Sequence, residues 1–205
     1  MSAIQETIMY FQKGGLVMWP LLFLSIAVIA ISIERFLYFK MTDSGNKFAA
    51  AYCAMLANDG LFAAREFAMA NQGECARIVA EAGGLQGDKE YHQSFLQTQA
   101  GLYMANLRDK LDYLGIIVTM SPLLGLLGTI VGMIGAFSIF NLEAGAPLAI
   151  TGGIGEALIA TATGLCVAIL SLCAHSYFTH RMDNIITNME ECFSALLEAE
   201  TRGAK

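Results

Sequence analysis

The sequence predicts an all-α, polytopic membrane protein with three transmembrane helices, two of them extended into a helical cytoplasmic domain. Three observations predict it. Of 205 residues, 56% are hydrophobic and only 15% charged, against about 25% charged in soluble domains. Uncharged apolar runs of membrane length occur three times. Between them, apolar residues recur at helical spacing and no strand alternation appears.

The N-terminal segment, 1–14, is expected to lie in the periplasm. It lacks a small-residue cleavage pattern and its one basic residue is Lys13, so a removed signal peptide is not expected. The first transmembrane helix is predicted over 15–39. Its uncharged core, Gly14 to Ile33, is 20 residues long, about 30 Å as a helix, which matches the hydrocarbon thickness. Trp19 and the run Phe36-Leu37-Tyr38-Phe39 supply interfacial aromatics. Pro20 comes early, where a missing N–H costs least.

Residues 40–112 form the expected cytoplasmic helical segment. Turn signals at Asn58-Asp59-Gly60, Asn71-Gln72-Gly73 and Gly83-Gly84 separate Ala-rich short helices. From Lys89 onward Leu96, Tyr103, Leu107, Leu111 and Leu114 make one stripe, which is expected to run without a breaker into the second span. That span covers 113–142, 30 uncharged residues or about 45 Å of helix, so one end must leave the hydrocarbon. A short periplasmic connection, 143–152, leads to the third span over 153–180. A cytoplasmic amphipathic helix and tail, 181–205, follow. There Met182, Ile185, Ile186, Met189, Phe193, Leu196 and Leu197 oppose Asp183, Asn184, Asn188, Glu191 and Glu198.

Orientation follows from Lys and Arg. Eight of the 12 basic residues (Arg35, Lys40, Lys47, Arg65, Arg77, Lys89, Arg108, Lys110) lie between the first two spans, and Arg181, Arg202 and Lys205 follow the third. The positive-inside rule places these segments in the cytoplasm and the N-terminus outside.

Other chemistries find little support. The net charge of −6 is unevenly placed, and no nucleic-acid partner is expected. Cys53, Cys75, Cys166, Cys173 and Cys192 are odd in number and form no C-x-x-C pair, so they read as small apolar filling rather than a disulfide or zinc framework. His175 and His180 fall on different sides of a helix, and His92 stands alone, so no metal is assigned. Glu34 and Arg35 read as an interfacial pair ending the first span. No nucleophile with a base, phosphate loop or cofactor motif appears, and the chain is not expected to be an enzyme.

The informative residues are within the spans. Gly125, Gly128, Gly132 and Gly135 are spaced 3, 4 and 3, which makes a smooth helix groove. In lipid, close backbone approach through small residues supplies packing where the hydrophobic effect supplies none. Ala157, Ala160, Ala162, Gly164 and Ala168 do the same in the third span. These faces exceed what three helices can bury, so homo-oligomerisation is expected. Glu156 is the costly residue, since a carboxylate at the bilayer centre costs roughly 2.5–3.5 kcal/mol on insertion scales and so usually faces a bundle interior or a water-filled cavity. Charge bias places it nearer the outer surface. An interfacial reading, in which Glu156 snorkels or caps the helix after Gly152-Gly153, stays open beside the pathway reading. The small, polar-dotted run after it, Ala157 to Gly164, suits a lumen wall.

At Pro122-Leu123-Leu124-Gly125-Leu126-Leu127-Gly128-Thr129 and Gly155-Glu156-Ala157-Leu158-Ile159-Ala160-Thr161-Ala162, followed by Gly164-Leu165, the sequence resembles the MotA/TolQ/ExbB proton-channel family. The first span, ending Ile33-Glu34-Arg35-Phe36, is similar too. Three spans in 205 residues look like the ExbB/TolQ branch. The resemblance implies a pentamer whose lumen encloses a dimeric, single-span ExbD/TolR-like partner that supplies a membrane aspartate. It also implies a TonB- or TolA-like periplasmic protein that receives the force, with TonB-dependent outer-membrane transport as the expected task. A Tol-Pal-type envelope motor and a non-conducting scaffold are the alternatives. Positions matching Glu156, Thr129 and Thr161 line the proton path in that family; only the resemblance favours protons over sodium ions. Where the family commonly has Ala-Ile-Pro, this chain has Ala168-Ile169-Leu170. Helix geometry alone favours another neighbour: Thr161 is about 140° from Glu156 around the helix, whereas Thr163 lies nearly beneath it, which makes Thr163 a further candidate for the lumen wall.

Overall fold

The computed structural model describes residues 11, 14–142 and 147–203, with side chains over 11, 14–138 and 151–201. The expected periplasmic segment 1–14 apart from residues 11 and 14, residues 143–146 of the connection 143–152, and the Arg202 and Lys205 side chains thus lie outside the described residues. Seven helices are described: α1 Met18–Thr42, α2 Asn46–Asn58, α3 Gly60–Ala70, α4 Glu74–Ala82, α5 Lys89–Arg108, α6 Leu111–Leu142 and α7 Pro147–Gly203. No strand occurs among the described residues. Three helical stretches are long and apolar enough to cross a membrane, within Met18–Asn58, Lys89–Ser138 and Thr151–Thr201. The protein is all-α and polytopic.

The chain divides into two compact units, Met1–Ile33 with Asp112–Ser176, and Glu34–Leu111 with Tyr177–Lys205. In the first unit, α1 follows a turn at Gly15, whose φ of 70° is left-handed. Its first N–H groups are satisfied locally, Met18 N–H by Gly15 O at 3.2 Å and Leu21 N–H by Val17 O at 3.3 Å. Val17, Leu21 and Val28 are buried on one face, while Trp19, Phe23 and Ile26 are more than half exposed. Water would tolerate such a face poorly, and hydrocarbon accepts it.

α6 and α7 pair antiparallel along a seam of small residues. A Cβ added at Gly164 would stand 2.6 Å from Ser121 O and 3.0 Å from Gly125 Cα; one at Gly132 would stand 3.1 Å from Gly153 O. Gly128 abuts Ala160, and Gly153 abuts Ala136. The seam thus runs Ser121, Gly125, Gly128, Gly132, Ala136 on α6. Its polar ties are Thr161 Oγ1 donating to Gly125 O at 3.1 Å and the buried Ser171 Oγ donating to Leu114 O at 2.9 Å. In a bilayer these close approaches provide the dispersion contacts that hold helices together. Gly135 is exposed and meets nothing within 4 Å. The small faces from which the sequence argued for a second copy are therefore largely spent within one chain, so that argument for homo-oligomerisation loses much of its premise.

In the second unit the turn signals fall between helices. Gly73, with φ of 109°, presses on the Ser44 backbone, and Ser44 Oγ accepts from Ala76 N–H at 3.2 Å near the start of α4. A side chain at Gly73 would be both strained and blocked. Asp88 caps α5 by accepting from Tyr91 N–H at 2.9 Å. Leu96, Tyr103, Leu107, Leu111 and Leu114 are all buried. The helix carrying them is not unbroken, because α5 ends at Arg108 and α6 begins at Leu111. The break is slight. Asp109 keeps helical dihedrals and its N–H still bonds Ala105 O at 3.0 Å. By contrast α7 is continuous over 57 residues, about 85 Å, far more than a bilayer needs. Its Met182, Ile185, Met189, Phe193 and Leu196 are buried, and Asp183, Asn184, Glu191 and Glu198 are exposed.

Candidate functional site

The α6–α7 seam divides α7 into two flanks, and Glu156 lies on the flank facing α1. Ala157 and Ala160 occupy the seam and are buried. A Cβ added at Gly15 would collide with the Glu156 carboxylate, with Cδ at 2.9 Å. The neighbouring Gly14 would meet Ile159 at 3.2 Å. Farther along the same flank, Val167 and Leu170 line a cavity of about 240 Å³ with Ser25, Val28, Ile29, Ser32 and Ile33 of α1. Glu156 is half-buried and level with the turn preceding Met18, near the start of α1. Of the two adjacent glycines, Gly15 is the one that lets that carboxylate lie against backbone. Sequence reasoning gave them no role, and their only signal was their position just before an apolar run.

The threonines separate. Thr161 lies on the opposite flank of the seam from Glu156, and its hydroxyl is taken by Gly125 O. Thr129 Oγ1 bonds back to Leu126 O at 2.6 Å, and Thr163 Oγ1 to Ile159 O at 2.9 Å. Each hydroxyl is satisfied within the helices. No hydrogen bond joins Glu156 to any of the three among the described residues. At about 100° per residue, Thr163 shares the flank of Glu156, Val167 and Leu170. The structure thus brings Glu156 to Gly15 and Thr161 to Gly125, and does not bring Glu156 to Thr129 or Thr161.

Several polar side chains outside this site are tied more closely than the sequence suggested. Arg35 is 4% exposed. It donates to Asn106 O at 3.0 Å, near the end of α5, pairs with Glu34 at 2.8 Å and lies over the Tyr38 ring. Lys110 reaches the other Glu34 oxygen at 3.1 Å. The interfacial pair is therefore a triad that holds the end of α5 to α1. His92 does not stand alone: its Nδ1 is 2.6 Å from Glu200 Oε1, both side chains being largely buried. Cys53, Cys75 and Cys192 also converge. Burial pushes the Cys53 thiol up to about 11, and the bond from Cys75, together with burial, raises Cys192 further. Thiols so shifted are poor nucleophiles and ligands. No group of three or more His, Cys, Asp or Glu poised for a metal occurs among the described residues.

Comparison with known proteins agrees with this architecture. The ExbB-like 1 biopolymer transport protein of Synechocystis is 34% identical over 173 residues, 79% of this chain and 66% of its own length. The chain thus spans slightly less than two thirds of that relative. The ExbB-like 3 protein of the same organism is 34% identical over 166 residues, 78% of each chain. The Tol-Pal system protein TolQ of Haemophilus influenzae is 32% identical over 102 residues, 48% of this chain and 45% of its own. A family profile matches residues 70–191, which include all of α5 and α6 and the Glu156 region of α7. The chain belongs to the MotA/TolQ/ExbB proton channel family.

Proposed function

We propose that this chain is the channel and stator subunit of a motor in the bacterial inner membrane, with Glu156 as the group that takes up and releases the ion. The observation that carries the reading is the placement of Glu156. It is a half-buried carboxylate held against the Gly15 backbone, followed by 18 residues without a charge before His175. A carboxylate kept in such a span is costly unless it is used. Thr129 and Thr161 serve as polar wall on the strength of the family resemblance, with Thr163 joining Glu156 on its own flank. Gly125, Gly128, Gly132 and Gly164 pack α6 on α7, and Gly135 is free for a contact outside the chain. The N-terminus is periplasmic and the C-terminus cytoplasmic.

The transported ion is the proton. The assembled unit is a homopentamer enclosing an ExbD/TolR-like single-span dimer, and a TonB- or TolA-like protein carries the work across the periplasm. Energising TonB-dependent outer-membrane transport is the first task proposed. A Tol-Pal-type role is the second reading, favoured by the TolQ similarity.

The test replaces Glu156 by Ala and by Gln in proteoliposomes that hold the chain and its single-span partner. Proton flux falls to background in both variants while assembly persists. Full flux in either variant refutes the role of Glu156 and favours a non-conducting scaffold.

A further inference from the structure

The second unit has an aromatic cleft with a cation that no other described residue pairs with. Phe36, Phe39 and Lys40 of α1, with Asp43, face Tyr177, Phe178 and Arg181 of α7 around a cavity of about 170 Å³. Phe39 and Phe178 pack together, 5.7 Å between centroids, and form the buried floor. Phe36 and Tyr177, each 53% exposed, form the rim. Asp43 is already satisfied: one oxygen takes Arg181 at 2.9 Å and the other accepts Gly45 N–H at 2.7 Å. Lys40 is exposed and has no hydrogen bond or ion pair among the described residues. With Asp43 and Arg181 cancelling, the cleft keeps one uncompensated positive charge.

We infer that this cleft binds the phosphate of an anionic phospholipid, with Lys40 and the outward N–H groups of Arg181 on the phosphate and the aromatic rim against the glycerol and upper acyl chains. Position favours lipid over a soluble acidic segment. Lys40 lies seven residues beyond Ile33, the end of the first uncharged run. That is about 10 Å along the helix, a depth from which a lysine stem reaches back to the head-group layer. On the rim, Tyr177 is an amphipathic aromatic of the kind that concentrates at that layer, and Phe36 adds apolar surface beside it. Basic clefts between membrane helices on the positively charged side recognise anionic head groups through this combination.

The test uses the purified full chain in detergent, with its single-span partner where the two copurify. The protein is exchanged against an equimolar mixture of phosphatidylglycerol and phosphatidylcholine, and retained lipid is read by mass spectrometry. Wild type retains phosphatidylglycerol preferentially. Lys40→Gln cuts that preference about five-fold, the effect of one basic side chain near an anionic surface. Because Lys40 makes no hydrogen bond or ion pair among the described residues, its loss leaves the helical circular dichroism unchanged. Lys47→Gln, a change of the same charge on exposed α2 surface, leaves the preference intact. Inorganic phosphate in the millimolar range does not displace the lipid. Equal preference in wild type and Lys40→Gln, an equal loss in Lys47→Gln, or stripping by phosphate alone overturns the proposal; the last would mark a site for free anions.

Discussion

Replacing Gly164 by Ala separates a seam glycine from a merely small residue. The added Cβ would stand 2.6 Å from Ser121 O, 3.0 Å from Gly125 Cα and 3.2 Å from Gly125 N. All three obstacles are backbone atoms, so no rotamer change relieves them and α6 must move away from α7. Overpacking of this kind costs about 1–3 kcal/mol. Alanine returns about 0.5–1 kcal/mol through its better helix propensity. The net loss is about 1–2 kcal/mol. The control is Gly135→Ala, where nothing lies within 4 Å and only the propensity gain remains. The two variants should therefore differ by about 2 kcal/mol, or about 4–8 °C in Tm for a chain of this size. Thermal unfolding in detergent, followed by the fluorescence of the single Trp19, reads the difference. Equal Tm values, or a larger loss at Gly135, would refute the seam as the element that holds these helices.

Three further outcomes follow from the same geometry. Gly15→Ala strains a backbone at φ of 70° and drives a methyl into the Glu156 carboxylate; the pH profile of ion flux should shift while the helical signal is kept, and an unchanged profile would deny Gly15 any part in holding Glu156. His92→Ala leaves Glu200 largely buried without its 2.6 Å partner, a loss of about 1–3 kcal/mol visible in thermal melts, and Glu200→Gln should lose less because an amide can still bond the imidazole. Cys53, with its thiol pushed up to about 11, should alkylate at pH 8 roughly a hundred-fold slower than an ordinary cysteine, because only about one thiol in a thousand is ionised. Its rate should rise about ten-fold per pH unit up to pH 10, and fast labelling at neutral pH would contradict the burial.

What the sequence made legible is what depends on periodicity. Uncharged runs located the spans, because a membrane reads only length and polarity. The stripe Leu96, Tyr103, Leu107, Leu111, Leu114 emerged buried, since burial on a helix follows spacing. Contacts between distant residues left no such trace. Arg35 with Asn106, His92 with Glu200, and Gly15 with Glu156 join positions 71, 108 and 141 apart, and no local pattern announces them. The glycine stripe shows the boundary between the two kinds of information. Spacing put Gly125, Gly128, Gly132 and Gly135 in one groove, but the helical drift carries the seam from Gly132 to Ala136, about 100° away from Gly135. Pattern supplies a small face; only the partner helix decides where it ends.

The same drift bears on the proposed ion pathway. Glu156 and Thr161 lie on opposite flanks of α7 because the seam residues Ala157 and Ala160 come between them. Within one chain, an ion leaving Glu156 would meet the α1-facing flank first, where Thr163, Val167 and Leu170 follow at spacings of 7, 4 and 3. The Thr161 hydroxyl is committed to Gly125 O across the seam, so its nearest influence is on how α6 and α7 are held. Thr161→Val removes that bond and keeps the shape, whereas Thr163→Val removes a polar group from the flank of Glu156. If the pathway follows the Glu156 flank, Thr163→Val lowers flux more than Thr161→Val at equal assembly. If a second copy or a partner helix bridges the two flanks, the order reverses. That comparison separates a path along one chain from a path between chains.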